Sequence, residues 1–305
     1  MKKDNKELLI YCKKCLRKNR KEYDDNRNKT IKMYTNEFSL IEGYINYSFN
    51  VGHYLDSLIT EPEKPFLQFA LLRIHEQSCK IYHEATLLLE NGSASGAMAR
   101  WRTLFEFSVI AAVLVKYPDL AKKYIYYSKV SDYKYVKKLH DYKDQLNLKY
   151  YNMDAFSDIE KEYKEVIAKY GWTGKNPYEW AINEDIKAAN LFELSKAVGR
   201  EHMYAYVDEA HMYNHPSPRY LMHDLGKTPT QSKDHNRYLF SPFELELPMQ
   251  LIVISLHEVN YSCIIGYANV KTADMVVLAS FIESNHEYPK TLISMLTDRY
   301  GTDKI

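Results

Sequence analysis

Phe38, Ile41, Ile45, Phe49 and His53 recur at three- and four-residue steps, the spacing that gathers side chains on one face of an α-helix. This predicts a helix over 32–59, ended by Pro62 and Pro65 in EPEKP. The same reasoning places helix after helix along the chain. A basic helix over 5–22 comes first, followed by a polar break, DDNRNKT. A helix over 66–89 stops at Asn91-Gly92, a C-terminal signal. Ser93 or Ser95 caps the next, which runs to Lys116 and stops before Pro118. Pro118-Asp119 opens a long fifth helix reaching about Tyr150. Residues 157–170 are amphipathic and end at Gly171, and 172–177 form a loop. Shorter helices are expected over 178–182, 190–198 and 200–213. Residues 214–243 hold Pro216, Pro218, Gly226, Pro229 and Pro242, which predicts a long irregular excursion. Two helices, over 244–270 and 271–300, close the chain. The expectation is an all-α fold: one helical bundle-like domain over 31–302, preceded by a basic helix or arm over 1–30.

Composition narrows the class further. With 10 Gly and 10 Pro in 305 residues, the chain cannot supply the turns of a many-stranded sandwich or barrel. At 46% hydrophobic and 14% aromatic, it is not disordered. Tyr is unusually abundant, at 28 residues, and crowds the fifth helix on several faces. The longest apolar stretch, 251–270, is interrupted by His257, Glu258 and Asn260 and reads as a buried helix, with no membrane partner expected.

Net charge is +1, yet it is unevenly spread. Residues 1–32 hold 12 Lys and Arg against 5 Asp and Glu, a net of +7 that leaves −6 on the remainder. Such an arm can meet nucleic acid or the acidic body itself. Cys12 and Cys15 form a CxxC without the second pair that a zinc knuckle needs, and Cys79 and Cys263 stand alone. Free thiols and the lack of an apolar leader lead us to expect a cytoplasmic protein.

Chemistry concentrates in two places. TLFEFSVIAAVLV (103–115) carries one charge, Glu106, which is expected to be buried and to need a partner. Arg102, four residues earlier on the same face, is the obvious one, either as a structural ion pair or as the anchor of a polar site. Further on, His211, His215, His223 and His235 fall within 25 residues, and Asp208, His211 and His215 share a helical face. There is no HExxH order, and Glu283-x-x-His286 lacks the companions a di-iron bundle requires. No metal and no cofactor is expected. His215-Pro216 ends its helix, where the macrodipole favours an imidazolium that can act as an acid or simply cap carbonyls.

ARWRTLFEFSVIAAVLVKYPDLAKKYIYYS (99–128), YGWTG (170–174), LFELSKAV (191–198) and EAHMYNHPSP (209–218) follow one another in order. Over about residues 66–270 the chain resembles a family of uncharacterised bacterial helical proteins known only as a domain of unknown function. The resemblance implies a helical fold and a shared site at Arg102, Glu106, Tyr127, His211 and His215. A looser likeness is to HEPN-type bundles of toxin and antiphage proteins, whose signature is Arg, four to six residues, then His; Arg219-x-x-x-His223 is one residue short of it. Two main readings follow. One is a binding or adaptor protein, serving a defence or stress system, with Tyr127, Tyr213 and Arg219 as contact residues and a protein partner or a second copy as its target. The other is a metal-independent nuclease or nucleotide-acting effector using Arg102, Glu106, His211 and His215, with the basic arm holding the strand. A metal-dependent helical enzyme is a third.

Overall fold

The computed structural model describes residues 3–58, 65–148, 153–215, 218, 241, 243–268 and 273–300. They form α1 (Lys3–Met33), α2 (Thr35–Ser57), α3 (Pro65–Glu90), α4 (Ala94–Lys116), α5 (Leu120–Tyr126) and α6 (Ser128–Asp141). There follow α7 (Met153–Tyr170), α8 (Leu191–Ala197), α9 (Tyr204–Asn214), α10 (Glu246–Tyr267) and α11 (Met275–Tyr300). Short 3-10 turns sit at Glu179–Ala181 and Glu201–Met203. Among the described residues there is no strand, as the scarcity of Gly and Pro demanded. None of the described helices is long and apolar enough to cross a membrane. Most of the excursion expected over 214–243 lies outside the described residues.

The centre is a three-helix contact of α3, α4 and α10. α4 is apolar around most of its circumference, so it can be covered on several sides at once. Trp101, Leu104, Val109 and Leu114 are fully buried along it. The Trp101 indole N–H donates to Ser255 Oγ at 2.9 Å, giving a buried donor the partner it needs. α2 packs on α3, α10 and α11, while α8 and α9 lie on α4. α3 and α10 approach closely at Gly266, where a Cβ would come within 2.2 Å of Leu71 Cδ1. Gly92, at φ +77°, turns the chain out of α3, and a Cβ there would meet the Ser241 carbonyl oxygen at 2.7 Å.

A polar knot sits inside this core. Asn260 Nδ2 donates to Ser48 Oγ at 2.9 Å and to Asn285 Oδ1 at 3.2 Å. Tyr44 donates to the same Asn285 oxygen at 2.6 Å. His75 Nε2 donates to Asn260 Oδ1 at 3.1 Å, tying α3 to α10. Every partner is buried, so the network fixes the register of four helices and not only their contact.

Two local expectations are corrected. The polar break DDNRNKT is absent, because α1 runs unbroken to Met33. Its polar residues are spent on tertiary partners: Asn26 donates to the Asn91 carbonyl at 3.3 Å, Arg27 pairs with Glu90, and Thr30 is fully buried. The fifth helix is two helices, bent at Tyr127. The Tyr127 hydroxyl is tied to the Asn176 carbonyl and its ring meets Trp172 edge-on at 5.0 Å, which pins the bend to the body. Beyond it α6 turns away and pairs with α7, using Tyr133 stacked on Tyr163 at 4.1 Å and His140 on Phe156 at 4.5 Å. Tyr133 and Tyr163 are spent here, while Tyr135 and Tyr142 face solvent.

Candidate functional site

On α4, Arg102 and Glu106 stand one helical turn apart, and Arg102 Nη1 lies 3.4 Å from Glu106 Oε2. The sequence expected this carboxylate to be buried. Instead the two side chains are 28% and 27% exposed, because that strip of α4 faces the Tyr178 loop and borders a pocket. The other carboxylate oxygen, Oε1, accepts the Tyr178 hydroxyl at 2.7 Å. Burial, and after it the charge of Glu106, pushes the Tyr178 phenol far up, so it remains a donor.

The loop that delivers Tyr178 is organised by one acidic residue. Glu179 accepts the backbone N–H groups of Thr173 and Gly174 at 2.9 Å each, and those of Lys175 and Asn176 at 3.3 Å. Burial opposes ionisation, but these donors and the Thr173 hydroxyl outweigh it and hold the Glu179 carboxyl below its usual range. Gly174, at φ +68°, and an Asx turn from Asn176 Oδ1 to the Tyr178 N–H at 3.0 Å complete the loop.

α9 lies across α4 and brings the histidines with it. His211 is partly buried; its pKa is lowered by desolvation first and then by the charge of Arg102, against the pull of Asp208. It is therefore a neutral imidazole near pH 7, suited to accept a proton. His215 follows the last residue of α9, where the sequence placed the helix end. It is exposed, with its ring 6.1 Å from that of His211. Tyr204, also on α9, has its phenol raised by burial and by Asp208. His211 thus lies close enough to Arg102 and Glu106 to feel both charges, from a segment about a hundred residues away, with His215 beside it. Among the described residues no three His, Cys, Asp or Glu side chains converge as a metal site would need.

Glu106 also belongs to a pocket of about 590 Å³ between α3, α4, α5, α6 and the Tyr178 loop. Aromatic rings dominate its wall: Phe69, Phe107, Tyr124, Tyr178 and Trp180. Tyr127 borders it, but its hydroxyl is committed to Asn176, and burial followed by Glu179 pushes its phenol up to about 12. Tyr213 packs partly buried against the core, on the turn that also carries His211. Arg219, His223 and His235 lie outside the described residues.

Tyr178 and Trp180 escaped the sequence reading, while Tyr124 stood out only as one of the tyrosines of the fifth helix and Tyr204 as one of those around the histidine segment. The one local signal was Asn-Pro-Tyr-Glu (176–179), in which an Asx turn before a carboxylate marks a shaped loop. Elsewhere Glu283-x-x-His286 serves a different contact: His286 shares a 2.8 Å hydrogen bond with His257, which lies beside the Arg200–Glu258 ion pair.

Residues 68–233 match the model of a family described as a family of unknown function, DUF5677, a narrower span than the 66–270 read from the motifs. All five residues implied by the resemblance fall within it. No curated protein and no solved structure matches the chain, so nothing in the comparisons carries the looser HEPN likeness.

Proposed function

The chain belongs to this family of unknown function, and since no reaction comes with that membership, we propose from the site alone that the protein binds a small organic ligand. The observation that carries the reading is the position of Glu106. It is the meeting point of α4, the Tyr178 loop and the α9 cluster, and it opens onto a pocket of about 590 Å³. Ligand sites are concave, mostly apolar, and fixed by a few placed polar groups, typically with about 300–1,000 Å³ of space. This pocket matches that description: aromatic rings form much of the wall, and a few polar groups, Glu106 with its Tyr178 partner among them, set orientation.

A second reading keeps the cluster itself as the reacting centre. Its support is the pairing of a neutral His211 with the positive charge of Arg102, the elements that metal-free phosphodiester cleavage uses as base and charge stabiliser. One experiment separates them. The purified chain is incubated with single-stranded RNA in excess chelator and assayed in parallel for thermal stabilisation by a library of small metabolites. The binding reading expects intact RNA and a stabilising compound whose effect is lost in Glu106→Gln. RNA cleavage that disappears in His211→Ala, with the fold retained, replaces it with the second reading.

A further inference from the structure

The charges and rings around the pocket narrow the ligand class. Three of its lining residues carry formal charge: Arg73, Glu106 and Asp132. Arg73 is spent outward on Glu76 at 2.7 Å. Asp132 has no ion-pair partner among the described residues, and the contact of Glu106 with Arg102 is long, at 3.4 Å. The cavity therefore presents more negative than positive charge. Its rings offer a cation a second attraction, because the face of an aromatic ring is the negative pole of its quadrupole. Tyr124 and Trp180 meet edge to face, with centroids 4.8 Å apart. The Tyr124 hydroxyl has no hydrogen-bond partner among the described residues. It lies close enough to Glu106 that, after burial, the carboxylate is the next cause raising its phenol to about 12.

An anion placed here would meet two carboxylates and ring faces. A neutral ring would satisfy the aromatic wall but leave Asp132 with no counter-charge and Glu106 with only its long contact to Arg102. A cation on an apolar body satisfies both at once. We propose that the pocket binds an organic cation, an ammonium group carried on a ring or short alkyl body, with the ammonium directed to Glu106 and Asp132 and the body against Tyr124, Trp180 and Phe107. The inference rests on the reading of this pocket as the ligand site.

The test is a titration of the full chain by calorimetry with three probes of one shape: 2-phenylethylammonium, 2-phenylethanol and phenylacetate. The ammonium is expected to bind about tenfold tighter than the alcohol, with phenylacetate the weakest. Glu106→Gln and the more exposed Asp132→Asn are each expected to shrink that preference severalfold while leaving the alcohol's affinity in place, with folding checked by circular dichroism. Equal affinity for ammonium and alcohol, or tighter binding of phenylacetate, overturns the cation class and leaves the pocket as a ligand site. No saturable binding of any probe at millimolar concentration overturns the pocket reading and the inference together.

Discussion

His75 is fully enclosed, and desolvation lowers its pKa from 6.5 to about 4, against a smaller opposing effect of its hydrogen bond to Asn260. The ring has little room to escape: a Cβ on Gly52 would come within 2.8 Å of it. Between these two pKa values the unfolded chain binds a proton that the folded chain refuses. Stability from this group is therefore present above pH 6.5 and is lost as pH falls towards 4. The full shift corresponds to about 3 kcal/mol, and about 2 kcal/mol of it should disappear between pH 7 and pH 5. Urea denaturation of the wild type and His75→Gln across that interval isolates the effect, since every other titrating group is common to both. Gln keeps a donor for Asn260 and removes the titration. The variant should be less stable at pH 7 and lose about 2 kcal/mol less on acidification. Parallel profiles for the two proteins would refute the claim that a buried neutral imidazole sets acid sensitivity.

Two further perturbations test the packing. Arg200, 15% exposed, pairs with Glu258 and donates to the Ser108 carbonyl at 2.7 Å, so Arg200→Ala should cost about 2–3 kcal/mol by leaving Glu258 uncompensated. A loss below about 1 kcal/mol in the urea midpoint would show the pair to be a solvated surface contact. Gly266→Ala should cost about 1–3 kcal/mol through overpacking against Leu71, read as a lower melting temperature with unchanged helical circular dichroism. An unchanged melting temperature would mean that Leu71 swings aside freely.

The sequence carried α4 almost to the residue, because both of its ends are written in local chemistry. Gly92 and Ser93 precede an observed start at Ala94, with Ser93 at the N-cap position but its side chain making no cap hydrogen bond, and Pro118 follows an end at Lys116. The Arg102–Glu106 pair was legible for the same reason, being a one-turn relation. The exposure of Glu106 was not, since what covers that strip is a loop some seventy residues downstream, whose arrival depends on four backbone donors converging on Glu179. Likewise DDNRNKT looks like a break because it is polar, and polarity alone does not reveal that Arg27 and Asn26 find partners at the end of α3. The bend at Tyr127 has a side-chain cause, a bond to Asn176, that no helical period records.

That bend divides the pocket's wall between two kinds of structure. Phe107 and Glu106 stand on α4, at the centre of the packed helices. Ser131 and Asp132 stand on α6, whose main neighbour is α7. In amide hydrogen-exchange terms, the α6–α7 pair, held mainly by its own mutual contact, is expected to open at a lower free energy than the core. A molecule lodged between the two walls has to be released before the pair can open. Occupancy would then register as slowed exchange along α7, on residues that never touch the ligand, and the pair would report binding for the whole protein.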